Sequence, residues 1–207
     1  MAQFQLKAQQ AESFDNPLVW PIFTLLKEQP SGWKVHTLAS RLSELNYIPV
    51  LDENSEKDLF KRNFLLMNAL YQLQEILLPE NQWLYVDAMN IHLEFIRTSH
   101  LFMIDESDPL RLYYCNWSHY EASSGEVKRL LNQFWSRFQR HIGGDTHTSL
   151  NRREALARFK LPDDASASDI RKTWRRLALR WHPDRENGDA EQFRVLCEAW
   201  QILRDER

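Results

Sequence analysis

The carboxyl-terminal part of the chain contains the sequence IRKTWRRLALRWHPDRENGDAEQFRVLCEAWQIL, which covers residues 170–203. Apolar residues recur along its first half at helical spacing, and basic residues fill the positions between them. Leu179 departs from this pattern, because it stands among charged residues where packing within the segment would not place it. The segment predicts an amphipathic helix with an apolar stripe (Ile170, Trp174, Leu177, Ala178, Trp181) and a basic side (Arg171, Lys172, Arg175, Arg176, Arg180).

This helix is expected to end at a turn formed by His182, Pro183 and Asp184. Proline disfavours helical backbone at the preceding residue and cannot continue the hydrogen-bond ladder. The imidazole and the carboxylate should therefore be held in a rigid, exposed turn. A second helix follows, with Phe193, Leu196, Cys197, Trp200 and Leu203 on one face. Two helices with facing apolar stripes predict an antiparallel helical hairpin.

A shorter helical pattern over 150–159 precedes the hairpin, and Pro162 follows it. Ser166 or Ser168 then offers the side-chain oxygen that caps the next helix. The segment 150–207 should thus contain three helices.

The rest of the chain is mostly helical in pattern. Apolar periods near 17–26, 34–45 and 58–78 predict three helices, and the third is apolar on more than one face, as expected of a central buried helix. The period then changes to two, which predicts strands. The remaining predicted elements are strands at 83–86, 91–97 and 111–115 and an amphipathic helix over 127–142.

These elements predict a mainly α protein, α+β overall, in which a helical-hairpin domain follows an amino-terminal helical domain with a small β-hairpin. Three helices and a hairpin over 16–97 are also the order of a winged helix, so the winged-helix fold is an open alternative for the amino-terminal domain. Residues 143–149 are small and polar and begin with two glycines, which predicts a linker. The predicted boundaries are a flexible tail over 1–15, an amino-terminal domain over 16–142 and a second domain over 150–207.

Charge differs across the predicted linker. Residues 149–207 carry a net charge of +2, whereas residues 1–148 carry −5. If the two domains pack together, we expect Trp135 and its helix to supply the contact.

Composition excludes several classes of protein. With 207 residues, a net charge of −3 and 43% hydrophobic residues, the chain is neither disordered nor uniformly basic. Cys115 and Cys197 match no zinc or redox spacing and should be reduced packing residues. The polar amino terminus lacks a signal peptide, and no apolar stretch reaches the roughly 18 residues of a membrane helix, so we expect a cytoplasmic protein with no membrane contact.

No catalytic or metal-binding set is evident in the sequence. His182 and Asp184 lack a third ligand or a nucleophile at suitable spacing, and Cys115 and His119 form an unaccompanied pair. We therefore expect no catalytic residue, no metal ion and no cofactor, and a protein that is not an enzyme.

The segment from about Leu156 to Leu203 resembles the J-domain of DnaJ-type co-chaperones. The resemblance implies a protein that binds a DnaK-type chaperone and stimulates its ATP hydrolysis. In that family the His-Pro-Asp turn is essential, and the basic helix face contacts an acidic surface of the chaperone. The residues that the resemblance nominates for chaperone binding are His182, Pro183, Asp184, Arg171, Arg175, Arg176, Leu179, Phe193 and Arg194.

The chain departs from the J-domain pattern at several places. Leu156 replaces the family's usual tyrosine in the first helix, and Lys160 replaces the usual glycine after it. The loop after the tripeptide is short, and the fourth helix is expected to be missing or one turn long. The glycine-phenylalanine region and the cysteine-rich repeats that bind clients in a full DnaJ are absent from the sequence.

The amino-terminal part resembles the corresponding region of DnaJ-related bacterial proteins, which place such a domain before a J-domain. The segments that carry this resemblance are NPLVWPIFTLLKEQP (16–30), LFKRNFLLMNALYQLQ (59–74) and LRLYYCNW (110–117). It implies no established activity for the region. We expect residues 16–142 to provide targeting or client choice, and the aromatic residues Tyr113, Tyr114, Trp117 and Tyr120 to form either core packing or a peptide-binding groove.

The alternative function is a nucleic-acid-associated winged-helix adaptor that recruits the chaperone through its J-domain. Binding to phosphates needs clustered basic side chains. The third helix, which would read the groove, offers only Lys61 and Arg62 at one end, and the amino-terminal part is acidic. The sequence therefore disfavours nucleic acid as a partner.

Overall fold

The computed structural model of the chain describes residues 15–96, 102–120, 124–144 and 150–204. Most of the predicted tail (1–14), the end of the second predicted strand (97), most of the predicted linker (145–149) and the last residues of the second domain (205–207) lie outside the described residues. The described elements are, in chain order, α1 (Val19–Glu28), α2 (Val35–Glu44), α3 (Ser55–Leu77), β1 (Gln82–Asp87), β2 (Asn90–Phe95), α4 (Pro109–Cys115), α5 (Ser124–His141), α6 (Arg152–Phe159), α7 (Ala167–Trp181) and α8 (Ala190–Arg204), with short 3-10 turns at Leu78–Glu80 and Trp117–Tyr120. The prediction of a mainly helical protein with a small antiparallel hairpin is confirmed.

Helix α3 forms the centre of the amino-terminal region, by which we mean the described residues from 15 to 144. It begins after Asn54, whose side chain accepts hydrogen bonds from two backbone amides of the first turn. From Phe64 onward nearly all of its side chains are buried. Because apolar residues cover more than one face, α1, α2, α4 and β1 all pack against it.

The hairpin lies directly after α3 and packs on it. Leu84 of β1 stands opposite Leu93 of β2, and Leu84 and Ile91 are fully buried. Trp33, between α1 and α2, exchanges two backbone hydrogen bonds with Ile91, at 2.8 and 2.7 Å. Three helices followed by this hairpin over 16–96 are the element order of a winged helix.

The predicted third strand at 111–115 is wrong, since these residues belong to helix α4. The Asp108 carboxylate accepts a hydrogen bond of 2.9 Å from a first-turn amide, and Pro109 occupies a position that suits the start of a helix. Arg111 extends to α3, where its guanidinium pairs with Glu75 at 2.8 Å and lies 4.9 Å from the centre of the Tyr71 ring. The cap and these tertiary contacts outweigh the strand preference of the aromatic residues.

The carboxyl-terminal helices pack against one another through a cluster of aromatic rings. The Ser166 hydroxyl caps α7 by accepting a hydrogen bond of 3.1 Å from the amide of Asp169. The rings of Trp174 on α7 and Trp200 on α8 stack at 5.3 Å, and Phe159 of α6 stacks on Trp174 at 6.3 Å. The predicted pair of antiparallel helices with facing apolar stripes is confirmed.

The amino-terminal region and the hairpin share one continuous core. The ring of Trp135 on α5 lies 5.9 Å from that of Trp174 and 6.5 Å from that of Trp200. Phe138, also on α5, meets Phe193 of α8 at 6.1 Å. The contact that we expect through Trp135 is present.

Both cysteines have free thiols. Cys197 is buried, and burial raises the pKa of its thiol well above the ordinary value. None of the described helices combines the length and the apolar composition needed to cross a bilayer.

Candidate functional site

The candidate site is the turn between α7 and α8. Helix α7 ends at Trp181, and His182 adopts a non-helical backbone conformation, as expected of a residue before proline. The Arg185 amide donates to the His182 carbonyl at 3.0 Å, and the Asp189 amide donates to the Trp181 carbonyl at 3.1 Å. The Asp189 carboxylate then caps α8 by accepting from two first-turn amides. The tripeptide is thus fixed at both ends.

Gly188 closes this loop against the tripeptide. A Cβ atom at this position would lie 1.9 Å from the carbonyl oxygen of His182, far inside van der Waals contact. Only glycine fits, so the glycine after Asn187 is a requirement of the loop.

His182 is buried, and the expectation that its side chain is exposed is wrong. Its relative exposure is 2%. The imidazole stacks on the Trp20 ring at 6.0 Å and meets the rings of Phe23 and Phe193 at 4.9 Å each. Trp20 and Phe23 belong to α1, so the physical reason for the burial is that the amino-terminal region covers the turn.

Burial also determines the charge of this histidine. Loss of hydration lowers the pKa of His182 to about 4; the nearby Asp184 carboxylate opposes the shift and Arg185 adds to it. The ring is therefore neutral near pH 7, and its Nδ1 accepts a hydrogen bond of 3.3 Å from the Asp184 amide. Nδ1 lies 3.5 Å from Oδ2 of Asp184, but the two groups do not form an ion pair because the ring is neutral.

The other two residues of the tripeptide remain at the surface, and one of them also contacts α1. Asp184 Oδ2 accepts a hydrogen bond of 2.6 Å from the Thr24 hydroxyl, while 34% of the Asp184 side chain stays accessible. Pro183 is exposed. Helix α1 thus contacts two of the three residues of the turn.

The basic side of α7 is divided between solvent and the amino-terminal region. Arg175 is half-buried and donates two hydrogen bonds, of 3.0 and 2.8 Å, to the Asp15 carboxylate, and it lies 3.8 Å from Glu75. Arg176 is exposed and Arg171 half-buried. Only part of the basic side is available to a partner in this arrangement.

Leu179 is 1% exposed, so the expectation that it stands on a free basic surface is wrong. It lies one helical turn after Arg175, on the side of α7 that meets the amino-terminal region. The burial of Leu179 in the core that the two regions share explains an apolar residue among charges. The structure therefore separates Leu179 from the solvent-facing basic residues.

The two nominated residues of α8 have different surroundings. Phe193 is buried between His182 and Phe138. Arg194 is half-buried and pairs with Glu191 and Glu198 of its own helix, the latter at 2.8 Å.

Sequence reasoning missed the residues that cover the turn. They come from α1, from the segment that precedes it and from the 3-10 turn after α3: Asp15, Trp20, Phe23, Thr24 and Glu80, the last of which accepts from Arg185 at 3.4 Å. The one sequence signal that could have found them is the opposite net charge of the two parts of the chain.

Helix α3 does not present the surface that reading a nucleic-acid groove requires. Lys61 pairs with Asp52 at 2.7 Å, and Arg62 pairs with Asp58 at 2.5 Å. From Phe64 to Leu77 the helix is buried except at Glu75. The nucleic-acid alternative finds no support in this geometry.

The four aromatic residues Tyr113, Tyr114, Trp117 and Tyr120 surround Phe64, and two of them belong to the core. Trp117 and Tyr120 are buried, and four rings lie around that of Phe64 at 5.4–6.3 Å: Tyr113, Tyr114, Trp117 and Tyr120. Core packing therefore accounts for Trp117 and Tyr120, whereas Tyr114 is partly buried and Tyr113 is 37% exposed. Among the described residues, no three His, Cys, Asp or Glu side chains gather in a way that could hold a metal ion.

Comparison with known proteins divides the chain in the same order. A family model described as DNA-J related protein matches residues 16–138, and one described as DnaJ domain matches residues 157–207. The Chaperone protein DnaJ of Methanosarcina acetivorans is 49% identical over 47 residues, which are 22% of this chain and 12% of that protein. The Chaperone protein DnaJ of Campylobacter hominis is 47% identical over 51 residues, which are 23% of this chain and 14% of that protein.

These alignments thus cover only a small part of either relative, 12% and 14% of its length. No solved structure is significantly similar to the chain. The first family model, in contrast, covers more than half of the chain, and the second coincides with the helical hairpin and its His-Pro-Asp turn. The chain belongs to the DNA-J related protein family and carries a J-domain over residues 157–207.

Proposed function

We propose that the protein is a co-chaperone that binds a DnaK-type chaperone and stimulates its ATP hydrolysis. The observation that carries the proposal is the His-Pro-Asp turn, which Gly188 and the α8 cap hold rigidly at the end of a basic helix. The chaperone-binding residues would be His182, Pro183, Asp184, Arg171, Arg175, Arg176, Leu179, Phe193 and Arg194.

The proposed mechanism is a shift of the partner's conformational equilibrium. A protein that binds the hydrolysis-competent state of the chaperone better than its other states raises the population of that state. The J-domain then needs no catalytic group, metal or cofactor of its own, and the protein is proposed to act in the cytoplasm as a regulator of another protein's enzyme activity.

Asp184 offers the sharpest test. We expect Asp184→Asn at saturating concentration to abolish stimulation of single-turnover ATP hydrolysis by a DnaK-type chaperone, because the charge that would face the partner is lost. The matched control is Asp164→Asn, in the exposed loop before α7, which should stimulate like the natural chain. Normal stimulation by Asp184→Asn would refute the proposal.

The second part of the proposal assigns targeting or client choice to residues 16–142. Its support is two apolar side chains of α4 that remain at the surface, since Leu110 and Leu112 are each 57% exposed. We expect the double variant Leu110→Ser/Leu112→Ser to suppress aggregation of a chemically unfolded reporter enzyme less well than the natural chain. Val50→Ser, at an exposed apolar residue outside α4, is the control. Equal suppression by all three chains would count against client binding at α4.

A further inference from the structure

Helix α1 occupies the place where a chaperone would meet the J-domain. Trp20 and Phe23 cover the imidazole of His182, and the Thr24 hydroxyl holds the carboxylate of Asp184. A side chain that is 2% exposed cannot contact a second protein until its cover moves. The contact must therefore be released before His182 can bind a partner.

The charges across this contact are complementary. Three carboxylates of the amino-terminal region face two arginines of the J-domain. Asp15 and Glu75 lie beside Arg175, and Glu80 lies beside Arg185. The amino-terminal part is net −5 and the part that contains the J-domain net +2. An acidic surface of this chain thus pairs with part of the basic side that is proposed to receive an acidic surface of the chaperone.

We infer that the closed arrangement is autoinhibitory: α1 and the carboxylates of Asp15 and Glu80 hold the J-domain shut, and the chaperone competes with them for the same face. This inference rests on the proposed co-chaperone function and adds its regulation. When only a fraction of the molecules is open, the apparent affinity for the partner is the affinity of the open state multiplied by that fraction. A chain that opens more readily should stimulate at lower concentration.

The test uses the full chain with three substitutions within this contact, Asp15→Lys, Thr24→Asp and Glu80→Lys, which we call the opened variant. Each replaces an attraction to Arg175, Asp184 or Arg185 by a repulsion, and none alters a proposed chaperone-binding residue. The matched control carries Ser40→Asp, Glu53→Lys and Glu106→Lys, which make the same charge changes at exposed positions outside the contact.

We expect the opened variant to reach half-maximal stimulation of single-turnover ATP hydrolysis at a roughly tenfold lower concentration than the natural chain, a typical size for coupling between states. The control should behave like the natural chain. Opening is checked separately by the NMR titration of His182, whose pKa should rise from about 4 toward its ordinary value of 6.5 in the opened variant only.

Two results would overturn the inference while leaving the co-chaperone function intact. In one, the pKa of His182 rises in the opened variant but stimulation matches that of the natural chain, so the contact is structural only. In the other, neither the pKa of His182 nor the concentration for half-maximal stimulation changes in the opened variant, so the named contacts do not hold a closed state. If the natural, control and opened chains all fail to stimulate at saturation, the proposed function itself fails, and the inference fails with it.

Discussion

His182 lies in an apolar pocket between the rings of Trp20, Phe23 and Phe193, and this pocket favours the neutral imidazole. Protonation would place a charge among aromatic rings, where the Asp184 carboxylate favours the imidazolium and Arg185 disfavours it. The pKa of about 4 in the closed state compares with 6.5 for an exposed histidine. Proton uptake therefore favours any state in which His182 is exposed.

This difference sets a pH dependence of stability. Between pH 6.5 and pH 4, a state with His182 exposed binds more protons than the closed state. The free energy of unfolding should receive its full contribution from this residue above pH 6.5 and lose about 2 kcal/mol of it by about pH 5. Urea unfolding of the full chain at about pH 7.5 and pH 5 measures the loss.

The variant His182→Gln provides the control for this measurement, because it has no imidazole to protonate. Its stability should fall less over the same pH range than that of the natural chain, and the difference isolates His182 from all other titrating groups. A natural chain whose His182 titrates near its ordinary pKa would contradict the burial described above.

At the scale of the element, helix α7 is buried on two sides, and only one of them could be predicted from its sequence. The stripe with Trp174 and Ala178 is visible as a helical period, because it packs on the neighbouring α8. The side with Arg175 and Leu179 faces partners remote in sequence, such as Asp15, which is 160 residues from Arg175. No local pattern specifies such a partner. Remote contacts also contribute to the helix at 111–115, where a strand is predicted, because Arg111 pairs with Glu75 of α3.

Helix α6 carries an identifiable backbone strain at its end. Lys160 follows the helix and has a left-handed backbone conformation, with φ of 55°. Glycine adopts this conformation more readily than other residues, which explains the glycine that J-domains usually carry at this position. We expect Lys160→Gly to raise the free energy of unfolding by about 1 kcal/mol, because glycine adopts this conformation without Cβ strain. Lys160→Ala, which removes the charge but keeps the Cβ, should not be more stable than the natural chain. Thermal unfolding of the natural chain and of both variants measures these differences. Equal stability of the two variants would argue against strain at this residue.

On the scale of the whole molecule, the elements were largely predictable but their mutual placement was not. The hairpin, its cap at Ser166 and the central helix α3 follow from local patterns. The closure of α1 over His182 depends on two regions that are far apart in the chain. Trp135 of the amino-terminal region packs on Trp174 and Trp200 of the carboxyl-terminal helices, so each region buries apolar side chains of the other.

The shared core should make the chain unfold as one unit. We expect Trp135→Ala to lower the free energy of unfolding by about 3 kcal/mol, because a buried indole that packs edge-on against the stacked rings of Trp174 and Trp200 is lost. Circular dichroism and tryptophan fluorescence should report one coincident transition. Trp83→Ala, at a half-buried residue of the β-hairpin, should cost less. Two separate transitions in the natural chain would show that the regions do not depend on each other.

A distance measurement shows whether a DnaK-type chaperone takes the place of α1 on the His-Pro-Asp turn. The distance between α1 and the turn can be measured with two spin labels in a chain that also carries Cys115→Ser. One label is attached at Glu28→Cys, one helical turn beyond Thr24, and the other at Glu186→Cys, two residues beyond Asp184. We expect one short distance in the free chain and a longer one when the ATP-bound chaperone is added, with no change when the chain also carries Asp184→Asn. A distance that stays short while ATP hydrolysis is stimulated would contradict the account.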